Sequence, residues 1–290
     1  MSDGPYINDD GWSVDCTLVQ AGSKSDVWSL VVQMDEDRIN KQSQIFYTPD
    51  SDNQDSSVIG QTQTWISSFW VSPSGTIYAC DGPRLWTARP GGALEPESGL
   101  ADRAMLKVWG LDDHRMFILG EDGLALRKDG TNWQDISLPD GRRLVDITAT
   151  PAGEVFACGH TGAFCRLEGA AWLSIDLGTD VNIRGVRAMK DGSVIGCGER
   201  GTAFRYSDGQ VEFFKAEPDR YFGGAAEFMG KVFFGASGDG VEVLNGDEIV
   251  PFKPNVYGQR LSANESYLWS CGGNSIFRYD GKGWIAEDFV

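Results

Sequence analysis

Apolar stretches of four to six residues recur along the chain, separated by polar, glycine-bearing turns, and nowhere does the apolar spacing settle into a helical period. From Arg115 the chain reads RMFIL-GEDG-LALRK-DGTNW, and from Glu154 it reads EVFAC-GHTG-AFCRL-EGAAW. The glycine closing the first of these strands serves as a marker. Gly120, Gly159 and Gly198 stand 39 residues apart, Ala236 follows 38 later, Gly272 another 36, and Asp81 precedes Gly120 by 39. Each marker follows a short strand (TIYAC, RMFIL, EVFAC, SVIGC, KVFFG, YLWSC) and precedes a second one (RLWTA, LALRK, AFCRL, TAFRY, VEVL, SIFRY). A further strand precedes each pair and another follows it. Four short strands per unit of about 35–40 residues, with no helix between, predict an all-β fold, the β-propeller.

The first sixty residues are less regular. SDVWSLVV from Ser25 aligns with SYLWSCGG from Ser266, and QIFYTPD from Gln44 aligns with SIFRYDG from Ser275. This predicts seven four-stranded blades in one domain over 1–290. The first blade, with insertions near 33–43 and 50–62, occupies 1–62; the others span about 63–104, 105–142, 143–182, 183–219, 220–257 and 258–290. Six blades with an N-terminal cover is the alternative. The last blade carries four strands of its own, so no borrowed closing strand is required.

The stretch VWGLDDHRMFILGEDGLALRKDGTNW around Trp109 resembles repeats of the photosystem II assembly-factor-like propeller family and its bacterial relatives. The resemblance runs over about residues 65–290 and is strongest around Gly120, Gly159 and Gly198. It implies a propeller that holds a client protein.

A formal charge of −17 makes nucleic acid and anionic membrane poor partners, since both demand cationic surface. No apolar run approaches the roughly 20 residues of a membrane helix. The acidic start, MSDGPYINDDGW, lacks the pattern of a signal peptide, which gives a cytoplasmic expectation. Cys80, Cys158, Cys197 and Cys271 all occupy the position before the marker, where Leu119 and Gly235 stand in other units, so they read as buried core thiols. No metal or other cofactor is expected. His114 and His160 fall in turns on opposite ends of their strands and form no catalytic pair. The glycine-flanked turns lack the following helix of a phosphate loop. Trp133, Trp172 and Trp284 recur before the outer strand and read as packing between blades.

The connections from the outer strand of one unit to the inner strand of the next each carry arginine: Arg103, Arg142 and Arg143, Arg184 and Arg187, Arg220, and Arg260. In a propeller they would circle one mouth of the channel as a basic annulus on an acidic body. Arginine is suited to gripping carboxylates bidentately. The competing reading is local pairing with Asp102, Asp140, Asp180 and Asp219. With no catalytic constellation, the expectation is a non-enzymatic, monomeric protein-binding propeller. Its form would be an immunity-type inhibitor of a basic toxin domain, or else an assembly factor holding a client, or a lectin using aromatic pockets between blades.

Overall fold

The computed structural model describes residues 6–8, 11–50, 55–89, 91–97 and 99–289. Among them every sheet is antiparallel and made of strands consecutive in sequence. The first sheet holds β1 (Tyr6–Ile7), β2 (Ser13–Ala21), β3 (Val27–Met34), β4 (Lys41–Thr48) and β5 (Ser57–Thr62). The second holds β6 (Ser68–Val71), β7 (Ile77–Asp81), β8 (Arg84–Ala88) and β9 (Glu95–Glu97). The third comprises β10 (Met105–Asp112), β11 (Arg115–Gly120), β12 (Ala125–Asp129) and β13 (Asn132–Asp135). The fourth comprises β14 (Leu144–Ala149), β15 (Val155–Gly159), β16 (Phe164–Glu168) and β17 (Ala171–Ser174). The fifth is β18 (Ile183–Ala188), β19 (Val194–Gly198), β20 (Ala203–Ser207) and β21 (Gln210–Phe213). The sixth is β22 (Gly224–Phe228), β23 (Lys231–Gly235), β24 (Val241–Asn245) and β25 (Glu248–Lys253). The seventh is β26 (Arg260–Ala263), β27 (Leu268–Gly272), β28 (Ser275–Tyr279) and β29 (Trp284–Asp288). These seven sheets are propeller blades. The N-terminal segment is a blade rather than a cover, and its extra residues chiefly lengthen strands: β3 and β4 pair over eight positions, from Val27–Thr48 to Met34–Lys41.

The chain divides into two compact units, one of residues 1–66, 91–94 and 226–290 and one of 67–90 and 95–225. In the second unit the core lies between sheets. One cluster joins Tyr78, Cys80 and Leu85 of the second sheet to Val108, Ile118 and Leu126 of the third. Another joins Phe117 and Leu119 to Leu144, Val155 and Ala157 of the fourth. A third joins Phe156, Cys158 and Phe164 to Ile183, Val194 and Phe204 of the fifth. A strand's side chains alternate between the two faces of its sheet. Both faces are covered here, which is why β11, β15 and β19 are buried along almost their whole length. The outer strands β13, β17 and β21 bury only one residue in four even partly, the position of Trp133, Trp172 and Val211.

In the first unit the seventh sheet packs on the sixth through Leu268 with Phe228, Phe233 and Val241. It packs on the first through Trp269, Cys271 and Phe289 with Val14, Cys16 and Val31. The Ala21 amide donates to Ser262 Oγ (2.9 Å), and Asn264 Nδ2 donates to the Gly22 carbonyl (2.9 Å), fastening the first sheet to the last.

The marker glycines have a steric cause. A Cβ on Gly120 would sit 2.1 Å from the Ala104 carbonyl oxygen, one on Gly159 1.9 Å from that of Arg143, and one on Gly198 2.1 Å from that of Asn182. The residue after each glycine donates its amide to the same carbonyl: Glu121 to Ala104 (2.9 Å), His160 to Arg143 (2.9 Å) and Glu199 to Asn182 (3.1 Å). The repeat thus clamps the segment entering each inner strand onto the turn that follows the marker.

Substituting Gly159→Ala forces this backbone apart and is expected to cost about 1–3 kcal/mol. Gly238→Ala, whose Cβ meets nothing within 4 Å, is the neutral control. Urea unfolding of the two variants measures the difference, and equal midpoints would refute the clamp.

Candidate functional site

The clamp sets where the arginines stand. In the third, fourth and fifth sheets the inner strand carries a bulge at its start, between Met105 and Lys107, Leu144 and Asp146, and Ile183 and Gly185. In β18 the unpaired residue of that bulge is Arg184. A bulge turns its extra side chain out of the ladder, and here it directs the guanidinium across two neighbouring turns.

Arg184 donates through Nε to Glu199 Oε1 (2.9 Å), with a second, shorter contact from Nη2, and through Nη1 to His160 Nε2 (3.1 Å). Its guanidinium carbon lies 5.8 Å from the centroid of the exposed Tyr221 ring. Asn182 Nδ2 donates to both Glu199 carboxylate oxygens at 3.2 Å. Arg143 donates through Nε to Glu121 Oε2 (2.5 Å). The result is a line of alternating groups across three sheets: Glu121, Arg143, His160, Arg184, Glu199. The two arginine pairs are partly open to solvent, with side chains 39% and 30% exposed for Arg143 and Glu121, and 25% and 28% for Arg184 and Glu199.

The charges of this line are mutually determined. An arginine can only donate, so the His160 Nε2 facing it is the unprotonated nitrogen. Burial, then the Arg184 and Arg143 guanidinium groups, hold the His160 imidazole below the ordinary histidine range. Burial pushes the Glu199 carboxyl up, but the hydrogen bonds from Arg184 and Asn182 outweigh it and bring the carboxyl below its ordinary value.

The other arginines fall beside this line or apart from it. Arg103 reaches the Asp122 carbonyl (3.2 Å), Ser137 Oγ (3.2 Å) and Asp135 (3.4 Å). Arg142 is held by Asp140 (2.7 Å), and Arg220 lies 3.6 Å from Asp219, so the local-pairing expectation holds for these two. For Arg103, Arg143 and Arg184 it does not: their acidic partners are Asp135, Glu121 and Glu199. Three residues expected in connecting loops lie in strands. Arg184 and Arg187 belong to β18, where Arg187 is exposed opposite Ile195, and Arg260 opens β26 in the first unit and donates to the Gln259 carbonyl (3.2 Å). Sequence reasoning missed Glu121, His160 and Glu199 as the arginines' counterparts. Their common position, directly after a marker glycine, was the signal.

Apart from this line, a concavity opens between the second and third sheets, at the end where His114 lies. Its volume is about 470 Å³, and Tyr78, Trp133, Lys128, Asp113, Glu97 and Arg89 are among its lining. Tyr78 donates its hydroxyl to Asp113 (2.9 Å), and burial followed by that bond pushes the phenol pKa up. Lys128 Nζ lies 5.8 Å from the centroids of both the Tyr78 and Trp133 rings, so a cation of the chain itself meets the ring pair that a sugar would stack on. Among the described residues, no group of three or more His, Cys, Asp and Glu side chains is placed to hold a metal ion.

No family model matches the chain, and no curated protein does. Among solved structures it is similar to YCF48 bound to a D1 peptide, at 18% identity and TM-score 0.59 over 76% of this chain and 78% of that one. It is similar to YCF48 from Cyanidioschyzon merolae, at 17% identity and TM-score 0.60 over 78% and 85%. The WD40 propeller domain of Doa1 matches at 11% identity and TM-score 0.64 over 91% and 96%. The likeness is one of fold. The chain is a β-propeller, and at these identities its site must be read from its own side chains.

The His160 arrangement has a pH signature. Its folded-state pKa lies below the ordinary 6.5, so as pH falls the unfolded chain takes up the proton first. His160 therefore contributes stability above about pH 6.5 that is lost as pH drops through the folded value. The His160→Gln variant should lose less stability than wild type between about pH 7 and pH 5. An imidazole titration by NMR with its midpoint above that of a free histidine would contradict the geometry.

Proposed function

We propose that the chain is a non-enzymatic protein-binding propeller that grips a carboxylate-bearing segment of its partner through the face built around Arg143 and Arg184. The observation carrying this reading is that both guanidinium groups are held by Glu121 and Glu199 while remaining partly exposed. Arginine side chains lose conformational freedom on binding, and a pair fixed beforehand loses less. Tyr221, exposed beside Arg184, adds an amphipathic ring of the kind enriched at interfaces. The similar YCF48 structure holds a D1 peptide, which supports the client-holding form of the proposal.

The inhibitor form, neutralisation of a basic toxin domain, is supported by one property, the charge of −17. An acidic body draws a basic protein at long range. The two forms differ in what the arginines do: they hold the client directly, whereas a basic toxin would engage the acidic surface around them.

The test compares proteins retained from native lysate by immobilised wild type, the Arg143→Gln/Arg184→Gln double variant and the Arg166→Gln control. Arg166 pairs with Glu154 and Glu168, apart from the line described above. Loss of a hot-spot arginine costs about 2 kcal/mol or more, roughly 30-fold in affinity. Partners retained by wild type and control should therefore be lost from the double variant, whose melting temperature should barely change because surface ion pairs contribute about 0–1 kcal/mol. A basic partner retained equally by all three favours the inhibitor form and removes the arginine face as its site.

A further inference from the structure

The seam between the second and third sheets breaks the repeat at two facing positions. Three residues before the marker stand Phe117 in the third sheet and Phe156 in the fourth, but Tyr78 in the second. Eight residues after it stand Leu167 in the fourth sheet and Tyr206 in the fifth, but Lys128 in the third. Strand pairing gives the same equivalence, since Lys128 lies opposite Trp133, Leu167 opposite Trp172 and Tyr206 opposite Val211. At the next two seams these positions close the space between sheets. Leu167 and Trp172 pack on the core that holds Phe117, and Phe156 meets the Tyr206 ring with centroids 5.5 Å apart. Where Tyr78 and Lys128 stand, the space is instead the concavity of about 470 Å³.

The polar groups around it are unevenly satisfied. Asp113 accepts the Tyr78 hydroxyl (2.9 Å), Asp112 pairs with Arg115 (2.6 Å) and Asp129 with Arg127 (3.6 Å). Among the described residues no carboxylate pairs with the Lys128 ammonium, which lies 5.8 Å from the centroids of the Tyr78 and Trp133 rings. The rings attract the cation but accept no conventional hydrogen bond, so its donors stay available to a ligand. Arg89, which is exposed, adds a second cation to the lining.

The geometry points to this concavity as a binding site for a small aromatic monocarboxylate, its carboxylate on Lys128 and its ring against the wall that carries Trp133. An ammonium–carboxylate hydrogen bond is among the stronger polar contacts, and an aromatic wall beside one placed charge is the usual makeup of a small-ligand pocket. Glu97 and Asp113 line the same space, so Lys128 and Arg89 have room to offset one negative charge, whereas the second charge of a phosphate meets two carboxylates. The concavity lies beyond the start of β11 and the Glu121 turn beyond its end, which separates this site from the Arg143 and Arg184 face.

The experiment titrates the full chain with benzoate in a calorimeter and follows its melting temperature. Benzoate should bind saturably and raise the melting temperature. Acetate, which lacks the ring, benzamide, which lacks the charge, and inorganic phosphate should each bind more weakly. Lys128→Leu introduces the residue type of Leu167, so the protein should fold, and its affinity for benzoate should fall at least about tenfold. Lys128→Arg keeps the charge and should retain binding. The Arg143→Gln/Arg184→Gln variant should bind benzoate as wild type does, so failure of this site and failure of the proposed partner face are told apart. The proposal is overturned if wild type does not bind benzoate, or if benzamide or phosphate binds as well. Unchanged benzoate affinity in folded Lys128→Leu, or its loss in the double variant, would overturn it too.

Discussion

The close approach of a carbonyl oxygen to a glycine Cα, repeated at Gly120, Gly159 and Gly198, is the contact on which the rest of the second unit depends. No side chain larger than hydrogen fits there, and the amide that follows captures the carbonyl. One geometric demand thereby fixes the chain entering each inner strand, the bulge at its start and the residues of the adjoining turn. In the fifth sheet the bulge delivers Arg184, and the turns deliver His160 and Glu199 to meet it. The basic face follows from the same clamp that makes the blade.

Packing sets the spacing of these features. Each sheet must cover both faces, and it does so against its neighbours: Phe164, stacked on Phe156 of its own sheet with ring centroids 5.7 Å apart, meets Phe204 of the fifth sheet edge-on at 5.1 Å. The inner strands are tied as well as packed. Asp146 accepts the Lys107 ammonium (2.8 Å) and the Val186 amide (3.0 Å), which links three successive sheets through one carboxylate. Because the sheets are held in register at this edge, a guanidinium from one reaches the turn of the sheet before it. Arg143 on Glu121 and Arg184 on His160 are contacts between sheets, and they exist only if that register is kept.

The sequence carries the blade pattern openly because each blade states it locally: strand, glycine, turn, strand. Burial of the cysteines before each marker was legible for the same reason, since Leu119 and Gly235 share their position. The partners of the arginines were not legible. Pairing Arg143 with Glu121 requires knowing that a turn of the preceding sheet lies beside the entry to the next, which is a fact of three dimensions and not of spacing. The bulge was hidden too, because one extra residue in an inner strand leaves the 39-residue period unchanged. It moved Arg184 from an expected loop into β18 without altering any motif.

The packing of the seventh sheet on the first was hidden by the repeat itself. Cys16 stands outside the marker pattern, on β2 of the first sheet, two positions past Val14 and beside a bulge between Cys16 and Leu18. A repeat fold has one junction where its first and last units must recognise each other without chain continuity, and there repeat symmetry stops predicting contacts. Here that junction uses Trp269, Cys271 and Phe289 for burial against Val14, Cys16 and Val31, and Ser262 and Asn264 for hydrogen bonds. With no strand exchanged across it, this seam is held by side-chain packing and isolated hydrogen bonds alone.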